Sequence, residues 1–429
     1  MAEKNVLKLF RAGMKGPVMP SLFSAEAEGE AGMGRGNSRP AWAEIDVAAI
    51  THNTQVLSQL VRPAQLCAVV KANGYGHGAA AVARAALAGG AIGLAVALVD
   101  EGVDLRQRGV RGPILLLSEC GADAVDAAMA NQLTPTLYTA EGVERFSAAA
   151  QRLGQRKSVH VKVDTGMHRV GAPLADVPAL LRAVADDPLL VFEGLWTHLA
   201  VADGESADDR AFTLGQLASF DGVLADLDRT GALPNLVHAA NTAGAVAYPS
   251  GRYNMVRCGL GLYGYLPGAA VTTAAAAAGA TLQPALSLRA RVTSVRTLEE
   301  GARPSYGRLR PLPQRSLVAT VPLGYADGVP RALFTKGYSV LIGGRRRSLA
   351  GMVTMDQIVV DCGDDTSVRP GDEVVLLGRQ GNDEITADEW AALLDTISYE
   401  VLCGIGPRVP RVVVNAPEPT GGTMSPPLP

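Results

Sequence analysis

The sequence predicts an α/β protein with an N-terminal (β/α)8 TIM-type barrel followed by a mainly-β C-terminal domain. Three observations carry this. Eight short apolar runs alternate with helical stretches between Leu66 and Cys258. That is the pattern of a closed parallel barrel. Beyond residue 281 the hydrophobic period shortens to alternation, the signature of half-buried strands. Unusual polar residues recur where the apolar runs end, and catalytic groups of such barrels gather at the carboxyl ends of strands.

Residues 1–39 are rich in Gly, Glu, Ala and Ser and are read as a disordered N-terminal extension, with Met33 as an alternative start. No apolar core of signal-peptide length occurs there. Residues 40–275 form the expected barrel domain. Asp46 suits a helix N-cap before Val47–Leu60. The strand-like runs are Leu66–Val70, Ile92–Leu98, Ile114–Leu117, Thr134–Leu137, Val159–Val163, Leu190–Trp196, Leu236–His238 and Met255–Cys258. Helices are expected at Ala79–Ala88, Ala122–Ala130, Glu141–Leu153, Val177–Ala185 and Asp208–Leu227. Residues 268–281, rich in Ala, Gly and Thr, read as a surface connection. Residues 276–416 form the expected mainly-β domain. Its strands are Leu286–Leu298, Leu317–Leu323, Tyr338–Leu341, Ser348–Asp361, Glu373–Leu377 and Val409–Val414, with a short helix at Ala387–Thr396. Residues 417–429 read as a disordered tail.

Composition narrows the function. A formal net charge of −3 gives no electrostatic case for nucleic acid or an anionic membrane. No run of about 18 apolar residues spans a membrane. Five scattered cysteines without a C-x-x-C pair give neither a zinc site nor a disulfide framework, and a reducing cytoplasm is the simpler inference. No metal is expected.

The most informative stretch is Val69-Val70-Lys71-Ala72-Asn73-Gly74-Tyr75-Gly76-His77-Gly78. Lys71 ends the first strand and faces a glycine-rich loop. A desolvated lysine loses its proton and attacks a carbonyl as a free amine, and a Schiff base to an aldehyde cofactor is the natural use. From these residues alone, a surface lysine capping a strand is equally open. Lys162, Asp164 and Arg169 lie at the fifth strand, His198 ends the sixth, Asn241 and Thr242 follow the seventh, and Arg257 and Gly259 lie at the eighth. Singly, Lys162 also reads as a barrel lysine paired with an acid, and His198 as a satisfied core histidine.

The lysine stretch resembles the pyridoxal-phosphate motif of the alanine racemase family, with Gly74 in place of the usual Ala. Val161-Lys162-Val163-Asp164-Thr165-Gly166-Met167-His168-Arg169-Val170-Gly171 resembles the second family signature. The likeness extends from Trp42 to Val414. It implies pyridoxal 5'-phosphate held by Lys71, and interconversion of L- and D-alanine for peptidoglycan. Arg169 matches the arginine that bonds the cofactor ring oxygen and the substrate carboxylate. Lys162 matches a lysine that is often carbamylated. The resemblance also implies that His198 lies near the pyridine ring and that Tyr75, Asn241, Thr242, Gly259, Leu260 and Tyr399 hold the phosphate. Thr242 stands where the family has Ser. Arg257, within Met255-Val256-Arg257-Cys258-Gly259, matches the arginine facing the pyridine nitrogen.

Arginine keeps its proton at physiological pH, so it donates to an unprotonated ring and weakens the electron sink. That favours prompt reprotonation at one carbon. Decarboxylases place a carboxylate there. In Pro304-Ser305-Tyr306-Gly307-Arg308, Tyr306 matches the second catalytic base; racemisation needs one base on each face of a planar intermediate. Tyr325, Met355 and Asp356 fall in motifs of the substrate entrance and carboxylate site, where Thr354 replaces a common cysteine. Each of these loops alone is an ordinary β-turn. The resemblance further implies a homodimer with active sites shared across the interface. A broad-specificity amino-acid racemase is the alternative, ahead of a decarboxylase of like architecture or a non-catalytic cofactor carrier.

Overall fold

The computed structural model describes residues 39–416. The expected disorder of residues 1–38 and 417–429 lies outside them. Eight parallel strands form the barrel: Gln65–Val69, Gly93–Val96, Ile114–Leu116, Thr136–Leu137, Lys157–Asp164, Leu190–Trp196, Leu236–His238 and Met255–Cys258. The first strand pairs with both the second and the eighth, at Cys67↔Gly93 and Met255↔Gln65. Two seams are thin. A single bridge, Leu115↔Thr134, joins the third and fourth strands. The seventh and eighth are joined by Arg257 N–H donating to Ala240 O at 2.9 Å and Asn254 N–H to Val237 O at 3.3 Å. The barrel is therefore closed.

Local chemistry sets the helix ends. Asp46 Oδ1 accepts from Ala49 N at 2.9 Å and starts Val47–Leu60, which buries Val47, Ile50 and Leu57. Ser206 and Asp209 form a capping box that opens Ala207–Arg229. The alanine stretch read as a connection is instead a helix, Ala269–Ala277, burying Val271 and Ala275. Alanine is the strongest helix former, and that preference outweighs the flanking glycines.

The second part contains a seven-stranded sheet in which Leu286–Arg291 is followed by Ala41–Asp46 and then Arg411–Val414. A three-stranded sheet joins Ser294–Leu298, Ser316–Val321 and Ile358–Asp361. Its core includes Tyr338 edge-on to Trp390, with ring centroids 5.2 Å apart. The strand Ala41–Asp46, inside the span expected for the barrel, belongs to this sheet. Ala43 pairs with Leu288 on one side and Arg411 on the other. Its buried face is Ala41, Ala43 and Ile45, too small for a strong alternation in sequence. Leu286–Leu298, read as one strand, is two. Ser348–Asp361 is interrupted, because Thr354 and Gln357 bond each other and turn the chain between Leu349 and Gln357. Arg39, read as the last residue of the extension, is held by the fully buried Asp327 at 2.8 Å.

Candidate active site

Lys71 follows the first barrel strand. After it, Ala72, Asn73, Gly74 and Tyr75 have φ of 53°, 52°, 62° and 51°, one turn of left-handed helix. For residues with a Cβ this costs about 1–2 kcal/mol each. The turn is held by Glu101, whose Oε1 accepts from Ala72 N at 2.6 Å while Oε2 accepts from Ala97 N at 2.8 Å and Leu98 N at 3.1 Å. Asn73 Oδ1 accepts from Ala79 N at 2.9 Å and closes the loop onto the next helix. Strain and clamp together fix the backbone that carries the Lys71 amine. Burial, then the nearby Arg169 charge, hold that amine below the ordinary lysine range.

Arg257 is the buried hub of the barrel mouth, 3% exposed. Its Nη1 donates to His238 Nδ1 at 2.6 Å. Its Nη2 donates to Thr197 O at 2.8 Å, Ala239 O at 3.0 Å and His198 Nδ1 at 3.1 Å. The guanidinium lies 4.4 Å from the Trp196 ring centroid, and Lys162 Nζ lies 4.5 Å from the same ring. Burial lowers Arg257 to about 10, so it stays charged near neutrality. Lys162 falls to about 7, first through burial and then through the charges of Arg257 and Arg169. His198 is held well below its usual value by the same two causes, burial and Arg257. Lys71, Lys162, Arg169, His198 and Arg257 thus form one electrostatic group. Arg169 is exposed and contributes through its charge.

Tyr75 lies at the end of the left-handed turn and stacks on Tyr263, with centroids 4.6 Å apart, beside Tyr399 at 5.9 Å. Tyr263 is anchored by its hydroxyl donating to Val69 O at 2.9 Å. A Cβ at Gly259 would stand 2.4 Å from Tyr75 Oη, so only glycine lets that hydroxyl reach its place. Thr242 Oγ1 accepts from Gly259 N at 3.1 Å, and Asn241 Oδ1 caps the following helix by accepting from Gly244 N at 2.9 Å. The Gly259 N–H is therefore engaged within the protein. Leu260 opens a 3-10 turn, the position whose N–H lacks an intrahelical acceptor.

Tyr306, Tyr325, Met355 and Asp356 stand apart. Tyr306 is 71% exposed and Met355 52%. Asp356 pairs with Arg408 at 2.7 Å, and Arg408 also reaches Asp327 at 3.4 Å. No hydrogen bond, ion pair or ring contact joins any of these four to Lys71 among the described residues. Sequence reasoning missed Glu101, Trp196, His160, His238 and Glu193. A signal existed for one of them: His160 and Lys162 are two apart on a strand and so face the same side. Among the described residues no group of three His, Cys, Asp or Glu side chains could hold a metal ion.

The donor set fits a flat, anionic aldehyde cofactor. An amine depressed by burial stands near two arginines, with tyrosine hydroxyls beside a glycine cradle. Comparison with known proteins points the same way. The family model described as "Alanine racemase, N-terminal domain" matches residues 45–267, and "Alanine racemase, C-terminal domain" matches 285–413. An alanine racemase of Symbiobacterium thermophilum is 45% identical over 373 residues, 87% of this chain and 97% of that protein. The crystal structure of alanine racemase from Streptomyces lavendulae superposes with a TM-score of 0.82 at 35% identity, covering 89% of this chain and 99% of that one. A histidine racemase of Leuconostoc mesenteroides superposes with a TM-score of 0.77 at 28% identity, covering 88% and 99%. On this evidence of sequence and fold over nearly the whole described chain, the protein belongs to the alanine racemase family.

Proposed function

We propose that this protein interconverts L- and D-alanine with pyridoxal 5'-phosphate as cofactor. The observation that carries the reading is Arg257: a buried, permanently charged donor at the eighth strand end, with no carboxylate beside it among the described residues. When bound, the cofactor supplies an aldehyde that captures the substrate amine and withdraws electrons from its α-carbon.

The chain's own residues do the rest. Lys71 would hold the cofactor and move a proton at the α-carbon on one face, and burial lowers the basicity of its amine. Arg257 would donate to the pyridine nitrogen of the bound cofactor, and a guanidinium keeps that proton near neutral pH. His198, accepting from Arg257 through Nδ1, keeps its Nε2–H for the ring's surroundings. Tyr75, Tyr399, Thr242, Leu260, Asn241 and Gly259 line the phosphate end. Arg169 would serve the ring oxygen and the substrate carboxylate. Lys162, lowered to about 7, offers a neutral amine at physiological pH, the form that adds carbon dioxide. Its carbamate would brace Arg169.

Tyr306 is the second base, and it works in the partner's site. The exposure of Tyr306, Met355 and Tyr325 supports this, since each lies outside its own chain's cluster. We therefore read the working unit as a two-fold homodimer with Tyr306, Tyr325, Met355 and Asp356 contributed across the interface. Cytoplasmic supply of D-alanine to peptidoglycan fits five unpaired cysteines and the absence, among the described residues, of a helix long and apolar enough to cross a membrane.

The test is a substrate panel on the cofactor-loaded protein, following loss of optical activity. Alanine should exceed serine, lysine, arginine and histidine by at least about tenfold in kcat/KM, a margin of about 1.4 kcal/mol. Equal rates across the panel would establish the broad-specificity alternative, and carbon dioxide release would establish a decarboxylase.

A further inference from the structure

Beside Arg257, the barrel strands hold a line of polar side chains that the site described above does not use. His238 and His160 are fully or almost fully buried, at 0% and 3% exposure. Arg257 Nη1 lies 2.6 Å from His238 Nδ1, His238 Nε2 lies 3.0 Å from His160 Nδ1, and His160 Nε2 lies 3.6 Å from Glu193 Oε2. The four residues come from the eighth, seventh, fifth and sixth strands.

Proton positions along this line follow from its two ends. Arginine only donates, so His238 Nδ1 accepts. A neutral His238 then carries its proton on Nε2, which donates to His160 Nδ1. His160 in turn carries its proton on Nε2 and turns it toward the Glu193 carboxylate, which only accepts. Any other assignment sets two donors or two lone pairs against each other at a buried contact, a costly arrangement in a low dielectric. Burial disfavours the charged form of both rings.

The backbone is shaped for this contact. The pairing of the fifth and sixth strands shifts register between Val159 and His160, opposite Gly194. A Cβ at 194 would lie 2.5 Å from His160 Nδ1, so the ring occupies space that only glycine leaves. His238 is held flat against Trp196, with centroids 5.5 Å apart and planes 10° apart. Trp196 is the ring that also carries Arg257.

We propose that Arg257, His238 and His160 form a one-way hydrogen-bond chain through the barrel core, that the Glu193 carboxylate 3.6 Å away fixes its far end electrostatically, and that this chain positions the Arg257 guanidinium for the reaction. Glu193 and His160 are positioning residues remote from the substrate. The role assigned to Arg257 rests on the function proposed above; the direction of the chain does not.

Two measurements test it. The first uses protein labelled with 15N in its six histidines, without cofactor or substrate, with peaks assigned by single substitutions. His160, His198 and His238 should all show the proton on Nε2 and none on Nδ1. A proton on Nδ1 of His160 or His238, or a charged ring at pH 7, overturns the chain whatever the enzyme turns over. The second uses the cofactor-loaded protein. The Glu193 side chain is 35% exposed, so Glu193→Leu should fold. It should lower kcat about tenfold with KM for alanine within twofold, and Glu193→Gln, whose amide oxygen can still face His160 Nε2, should recover at least half of the lost rate. Wild-type kcat in Glu193→Leu overturns the positioning role. Failure of the wild-type protein to racemise alanine would overturn the functional reading and leave the NMR result standing.

Discussion

Replacing Gly259 with alanine tests the phosphate end of the site at one atom. The added Cβ would stand 2.4 Å from Tyr75 Oη and 3.0 Å from its Cζ. Ordinary contact begins near 3.4 Å, so the hydroxyl must retreat by roughly 1 Å. It has little room. The Tyr75 ring is backed by Tyr263 at 4.6 Å, and Tyr263 is pinned to Val69 O and flanked by His77 at 4.6 Å. Overpacking of this kind costs about 1–3 kcal/mol. If Tyr75 holds the phosphate, that cost falls on the loaded state, and the cofactor dissociation constant rises about 5- to 150-fold. Cofactor titration by absorbance, on protein stripped by dialysis against hydroxylamine, reads this directly. The control is Gly222→Ala, at an exposed helical glycine with nothing within 4 Å of the new atom; it should gain about 0.5–1 kcal/mol of stability and leave binding unchanged. A Gly259→Ala protein that binds cofactor within twofold of wild type would refute the assignment of Tyr75.

Lys71→Ala and Tyr306→Phe should each be nearly inactive, yet mixed and allowed to exchange subunits they should regain about a quarter of wild-type activity, because half the dimers keep one intact site of two. No recovery despite demonstrated exchange would place both residues in one chain's site. Arg257→Glu should slow racemisation by at least about a hundredfold and raise the ratio of pyruvate formed to alanine racemised, checked by lactate dehydrogenase coupling; an unchanged ratio would leave Arg257 a structural role. His77 is fully buried and held down at about 4 by desolvation, against about 6.5 unfolded. The unfolded chain therefore binds the extra proton in this window, and stability falls as pH drops from 6.5 toward 4, by up to about 3 kcal/mol from this residue. Urea unfolding at pH 7, 5.5 and 4.5 should show that fall, and His77→Gln should flatten it.

The sequence made legible whatever depends on short-range pattern. Val47–Leu60 and Ala79–Ala88 lie where periodicity places them, and the strand ends bearing Lys71, Lys162, His198 and Arg257 meet at one mouth. Contacts set at long range were hidden. Glu101 looks like any acidic residue in the first turn of a helix until its carboxylate is seen under Ala72, twenty-nine positions away. His160 and His238 lie 78 residues apart, and each alone reads as a buried polar residue of a strand. Asn241 resembles a ligand residue in sequence, while locally its carbonyl oxygen serves as a helix cap. The strand Ala41–Asp46 went unrecognised as part of the second sheet because both of its partners lie more than 240 residues on.

That strand has a consequence for biosynthesis. It leaves the ribosome before any of the barrel, but its antiparallel neighbour begins at Leu286 and its parallel neighbour at Arg411. At about 5–20 residues per second, roughly 10–50 s pass before the first partner is made. The barrel itself lacks its eighth strand until Cys258 is made, and throughout the interval the six-residue segment Ala41–Asp46 has both hydrogen-bonding edges open. An open edge is a template for joining other chains. The nascent protein is thus open to aggregation along Ala41–Asp46, and a nascent chain arrested before residue 286 should recruit holdase chaperones there and release them once synthesis resumes.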